Sequence, residues 1–136
     1  MIIGLVTITV IAAGTVIGVN LTNQKNTDKQ PPSAVYLSAV DHNTTVSIKK
    51  GDTVNLTLHD YGDGGYLWTL TQCDTNLLRQ TDQFTWGSSG MLGDFGKDTW
   101  IFSAVNTGST MLQLTCQRPF GEQDICQTYI VTLKIL

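Results

Sequence analysis

The chain is short of charge, histidine and cysteine, and each shortage closes a route. Only 14% of its 136 residues are charged, and eight Lys and Arg face eleven Asp and Glu, for a net charge of −3. No basic stripe is present to neutralise phosphates, so a nucleic-acid partner is excluded. The two histidines, His42 and His59, stand well apart, and the three cysteines form no Cys-x-x-Cys pair. That leaves no ligand set for a metal, and neither metal nor cofactor is expected. Three cysteines are also too few for a disulfide framework. No recognisable catalytic motif is present: His59, Asp60 and Cys73 are near in sequence, but His59 falls on the outward parity of its strand. The chain is therefore not expected to be an enzyme. Sustained helical periods are missing after residue 33, while threonine is abundant, which leans the chain toward strands.

Charge is wholly absent from Ile2 to Val19, a run at the lower edge of the length that spans a bilayer. Residues 1–20 read as a signal peptide or membrane anchor, although no Lys or Arg precedes the run and Lys25 and Lys29 follow it. The competing reading is a buried N-terminal strand or helix. Residues 21–33 are polar and end in Gln30-Pro31-Pro32-Ser33, as a solvated tether would. An exported domain over 34–136 is expected, with membrane attachment through 2–19 if the leader is retained. Asn20-Leu-Thr, Asn43-Thr-Thr and Asn55-Leu-Thr fit the glycosylation acceptor pattern and agree with export.

What the domain has in quantity is alternation. Val46 and Ile48 share a face; so do Val54, Leu56 and Leu58, then Tyr66, Trp68 and Leu70, then Trp100, Phe102 and Ala104. Leu112, Leu114 and Cys116 follow, and Tyr129, Val131, Leu133 and Ile135 close the chain. With an opening strand near 35–40 and a weaker one over 79–86, the pattern predicts an all-β, immunoglobulin-like sandwich of seven or eight strands. The better-defined strands are expected over 53–59, 65–71, 99–104, 110–117 and 127–135. Trp68 is expected between the sheets.

The glycine is concentrated in alternate turns. These read Asp60-Tyr61-Gly62-Asp63-Gly64-Gly65, then Gly87-Ser88-Ser89-Gly90-Met91-Leu92-Gly93-Asp94-Phe95-Gly96, then Arg118-Pro119-Phe120-Gly121-Glu122. In an up-and-down chain alternate turns emerge at the same end, so the three loops are expected to form one binding edge on a rigid body. Arg118 and Phe120 are residue types enriched at binding hot spots, and Pro119 stiffens their loop. Cys116 and Cys126 flank that loop. If Leu112 and Leu114 oppose Val131 and Tyr129, Cys116 faces position 127, so a 116–126 bridge needs a bulge or a wide loop. Cys73 is a competitor for that bridge or a free thiol.

These residues resemble the chagasin family, inhibitors of papain-like cysteine proteases built on an immunoglobulin-like sandwich. The family's BC loop reads N-P-T-T-G, then Tyr or Phe, any residue, and Trp. Gly65-Tyr66-Leu67-Trp68 matches its end, while Tyr61-Gly62-Asp63-Gly64 departs from Asn-Pro-Thr-Thr. The segment Gly90 to Gly96 resembles the G-x-G-G type DE loop, with Phe95 where a glycine is expected. Arg118-Pro119-Phe120 matches the FG motif, and Glu122 comes one residue late. The resemblance covers about Val35 to Leu136. It implies a reversible, non-covalent inhibitor, expected to be monomeric. The BC loop would lie over the protease's catalytic cysteine and histidine, the DE loop along the non-primed side and the FG loop on the primed side. Asp63 and Gly64 would take the place of the threonines that approach the active site. The implied contact set is Tyr61, Gly62, Asp63, Gly64, Gly65, Met91, Leu92, Gly93, Asp94, Phe95, Gly96, Arg118, Pro119 and Phe120. The alternative is a non-inhibitory, exported cell-surface binding or adhesion module on the same sandwich.

Overall fold

A computed structural model describes residues 31–87, 90–91 and 96–136. The leader, the tether up to Gln30, Asn20, and the loop positions Leu92, Gly93, Asp94 and Phe95 lie outside the described residues. Among the described residues, eight strands follow in chain order: β1 Ala34–Leu37, β2 Thr44–Ile48, β3 Thr53–His59, β4 Leu67–Gln72, β5 Leu78–Trp86, β6 Lys97–Ala104, β7 Gly108–Gln117 and β8 Ile125–Ile135. They form two four-stranded sheets, ordered β1-β3-β6-β5 and β2-β8-β7-β4. The alternation explains the layering. Val54, Leu56, Trp100 and Phe102 of one sheet and Leu112, Leu114, Val131 and Leu133 of the other are all essentially inaccessible. Their outward partners, such as Asn55, Thr57 and Gln113, are polar, as half-buried strands require.

The opening segment departs from expectation. A continuous strand to Val40 is not formed: β1 stops at Leu37, a short 3-10 turn covers Ala39–Asp41, and Val40 is exposed. The reason is a change of sheet. β1 runs parallel to β3, whereas β2 runs parallel to β8 in the opposite sheet, so the chain must cross between layers. Ser38 is fixed there by Asp41, whose Oδ2 accepts the Ser38 N–H at 2.8 Å. The other ends differ by a few residues. β4 begins at Leu67 rather than 65, because Gly65 adopts φ 82 as it leaves a 3-10 turn. β6, β7 and β8 each start two residues earlier than alternation indicated.

One buried carboxylate secures the end opposite the loops. Asp52 accepts the Lys49 N–H at 2.8 Å, the Ser33 N–H at 3.1 Å and the Ser33 hydroxyl at 3.0 Å. Burial pushes its pKa up, but these three bonds and the Lys49 charge outweigh it and hold the group below the ordinary value. Ser33 is thereby fastened to the sandwich. Its carbonyl also accepts the Thr53 N–H at 2.9 Å.

Candidate functional site

The first and third loops, and the described ends of the second, lie at one end. The first arches from β3 to β4 and so joins the two sheets. Trp68 closes the arch from beneath, its indole N–H donating to the His59 carbonyl at 2.8 Å. An aromatic column rises through it: Trp100 packs edge-on against Trp68 at 6.4 Å, Trp68 against Tyr61 at 6.2 Å, and Tyr61 against His59 at 4.8 Å. Within the arch, Gly62–Gly64 form one 3-10 turn, and Asp60 Oδ1 accepts the Gly62 N–H at 2.7 Å. Gly64 lies under the Tyr66 ring, where an added Cβ would sit 3.1 Å from it. Here glycine is needed for close approach, and at Gly65 for positive φ.

This arch is bolted to the third loop, which is the turn of the β7–β8 hairpin. Tyr66 donates its hydroxyl proton to Asp124 Oδ2 at 2.8 Å. The Arg118 guanidinium lies 4.6 Å from the Tyr66 ring centroid, donates through Nε to the Gly64 carbonyl at 3.3 Å, and pairs through Nη1 with Asp124 Oδ2 at 3.4 Å. Tyr61 donates to Gln127 Oε1 at 3.0 Å. The bond to Asp124 pushes the Tyr66 phenol pKa up, desolvation adds to this, and the Arg118 charge opposes it. Sequence reasoning offered Arg118 as a contact residue. Its guanidinium, half exposed, is held by Tyr66 and Gly64 of the first loop and by Asp124 of its own hairpin. Asp124 and Gln127 were not legible as site residues, since no local pattern links them to tyrosines some sixty positions earlier.

The hairpin is braced at its base. Cys116 lies opposite Gln127, and the next pair is Gln117 with Ile125, so Cys126 is the extra residue of a bulge. Cys116 and Cys126 are disulfide-bonded, with Cα atoms 5.4 Å apart. A ten-residue separation removes about 3 kcal/mol of loop freedom from the unfolded chain on the entropic account. Cys73 carries a free thiol, whose proton points at the Leu78 carbonyl at 3.3 Å. It follows β4, at the end away from His59, so the proximity of His59, Asp60 and Cys73 in sequence is not proximity in space.

The second loop joins the edge through its described ends. The Asp60 N–H donates to the Gly96 carbonyl at 3.2 Å, and His59 pairs with Lys97 across β3 and β6. Met91 is 73% exposed and Phe120 85% exposed, so apolar side chains stand in solvent on two of the three loops. Tyr61, Asp63, Gly64 and Tyr66 line a shallow hollow of about 320 Å³ on the first loop.

The described residues form a two-sheet immunoglobulin-like body with loops gathered at one end. The chain belongs to the chagasin family of peptidase inhibitors: the profile of the chagasin family peptidase inhibitor I42 matches residues 47–135. Amoebiasin-1 of Entamoeba histolytica is 28% identical over 102 residues, spanning 73% of this chain and 95% of that one. Among solved structures, the cysteine protease inhibitor EhICP2 from Entamoeba histolytica superposes with a TM-score of 0.66 at 14% identity, covering 76% of this chain and 96% of that one. PbICP-C, solved in complex with falcipain-2, superposes at 0.57 with 15% identity, covering 76% and 99%. This is a family of inhibitors and not of enzymes.

Proposed function

We propose that this protein is a reversible, non-covalent inhibitor of papain-like cysteine proteases that fills the cleft with residues 60–66, 87–96 and 118–122. The observation that carries the reading is the Arg118–Tyr66–Asp124 cluster, which makes two of the loops one body. A wedge already held in its bound shape loses little entropy on docking, so modest contacts give tight binding. Phe120 and Met91 supply exposed apolar anchors, while the glycines of the first loop let the backbone approach the catalytic groups closely. Asp63 stands at the tip of that loop in the 3-10 turn.

The test is inhibition of papain on a fluorogenic peptide. Dose-dependent competitive inhibition that disappears on rapid dilution is expected. No inhibition at micromolar protein would defeat the proposal, and no recovery of activity after prolonged dilution would defeat its reversible form. We propose further that the domain is exported. The apolar run over 2–19 and the Cys116–Cys126 bridge both support this, because such bridges persist in oxidising compartments. Fractionation of cells that express the full chain, with the domain found only in the cytosol, would contradict it.

A further inference from the structure

The outer face of the first sheet carries an aromatic pair that the core does not use. Leu78 of β5 faces inward, and simple alternation would carry Phe84 and Trp86 inward with it. A bulge prevents this. Gln80 pairs with Phe102 and Asp82 with Ile101, so Thr81 is an extra residue and every later side chain changes face. Phe84 therefore pairs with Thr99, and Trp86 with Lys97, both on the outward side. Of the three tryptophans, Trp68 and Trp100 are buried, whereas Trp86 is 56% exposed. It is nevertheless held in place. Its indole N–H donates to the buried Thr99 hydroxyl at 2.9 Å, that hydroxyl is 2.9 Å from Thr57 Oγ1, and the Phe84 ring packs behind it at 5.5 Å.

Position gives this ring its meaning. Trp86 is the last residue of β5, beside Gly87 and Gly96 at the two described ends of the second loop. With Thr57 and Lys97 these residues line a hollow of about 350 Å³. The same corner touches the first loop through the Asp60–Gly96 bond. The glycine-rich loops are slender and offer little side-chain area, yet a stable interface of this kind needs about 800 Å² from each partner. A large aromatic ring with its polar edge already satisfied adds area at small entropic cost. Phe120 stands on the third loop, so an aromatic anchor is available on either flank of the first.

We infer that Trp86, backed by Phe84, is a second aromatic anchor for the protease: it takes a side chain of the enzyme surface bordering the cleft, and so sets preference among papain-like proteases. This rests on the inhibitory reading above. Protease surfaces differ more outside the catalytic groove than within it, so contact there discriminates.

The experiment uses the inhibitor labelled with 5-fluorotryptophan, which gives one ¹⁹F signal per tryptophan, assigned through Trp86→Phe. On addition of equimolar papain the Trp86 signal shifts and loses its H₂O/D₂O isotope effect, while those of Trp68 and Trp100 hold. In parallel, Trp86→Ala raises Ki about tenfold or more, by a factor that differs between papain and a second papain-like protease, with an unchanged melting temperature. If the parent inhibits but the Trp86 signal stays put, this inference fails alone. If the parent does not inhibit, the inhibitory reading fails and takes this with it. Should Trp86→Ala lose its fold, the fluorine signal of the parent still decides.

Discussion

Asp124→Ala should weaken inhibition without unfolding the domain. Asp124 Oδ2 receives the Tyr66 hydroxyl at 2.8 Å and the Arg118 guanidinium at 3.4 Å. Both side chains of the ion pair are about half exposed, at 50% and 47%, so solvent screens it and it contributes at most about 0.2–1 kcal/mol. The phenol–carboxylate bond adds roughly 1 kcal/mol. The backbone bond from the Arg118 N–H to the Asp124 carbonyl survives the substitution, as does the Arg118–Tyr66 stack. The total, about 1–2 kcal/mol, is the order that keeps the first and third loops in one arrangement, and losing it raises Ki about 5- to 30-fold. Because the disulfide still closes the hairpin, the domain should stay folded, with its melting temperature lowered by roughly 5–10 °C. The assay is Ki for papain, measured for Asp124→Ala, Tyr66→Phe and the pair. The double variant should be no worse than Asp124→Ala, since both substitutions break the same bond. Full additivity, or a Ki for Asp124→Ala equal to the parent's, would refute the clamp.

Phe120 is 85% exposed, so Phe120→Ala should leave stability intact while weakening inhibition by at least about 2 kcal/mol, seen as a higher Ki at constant melting temperature. Asp63→Thr restores a threonine of the kind the related BC loops carry and should lower Ki; a higher one would show that the carboxylate itself favours this chain's target. Burial raises the Asp98 pKa, with the Asp60 charge adding and a hydrogen bond from Thr85 opposing. The folded state then holds the Asp98 proton more tightly than the unfolded state. Its contribution is favourable in acid and is lost as pH rises through the raised value. Asp98→Asn should therefore melt higher than the parent at pH 7, with the gain shrinking as pH falls through the raised Asp98 value and gone below about pH 4; a gain independent of pH would contradict this. The Tyr129 hydroxyl is buried without a hydrogen-bond partner among the described residues. Tyr129→Phe should accordingly be neutral or stabilising by up to about 1 kcal/mol in urea unfolding, and a clear loss would mean that the hydroxyl is satisfied.

Alternation disclosed the body of this fold because it is a local signal: it tells which face each residue takes. It also located the disulfide problem, since the parity of Cys116 pointed to position 127 and the bulge supplies the missing step. It does not tell which strand lies beside which. The parallel pairings of β1 with β3 and β2 with β8 are set by packing between distant segments, so the change of sheet at 38–41 was not legible and Val40 was misplaced. The same limit hid the outward turn of Phe84 and Trp86, which depends on one unpaired threonine. In the site, glycine and Arg-Pro-Phe marked the loops, but the bonds between loops join residues 54 to 66 positions apart. Such bonds leave no periodic trace.

A loop built on glycine pays in entropy for its slimness. Related BC loops carry a proline, which restricts the unfolded chain by about 0.4–1 kcal/mol at a compatible site. This chain has Gly62 at that place and gains no such help. What it has instead is external: Tyr61 and Tyr66 flank the 3-10 turn, and each is hydrogen-bonded to the β7–β8 hairpin, while Arg118 holds the Gly64 carbonyl between them. The hairpin is itself closed by Cys116–Cys126. Rigidity thus reaches the first loop from the third, and the tyrosine bonds are of the same order as the missing proline's effect. It follows that reducing the disulfide should loosen both loops, although the first contains no cysteine.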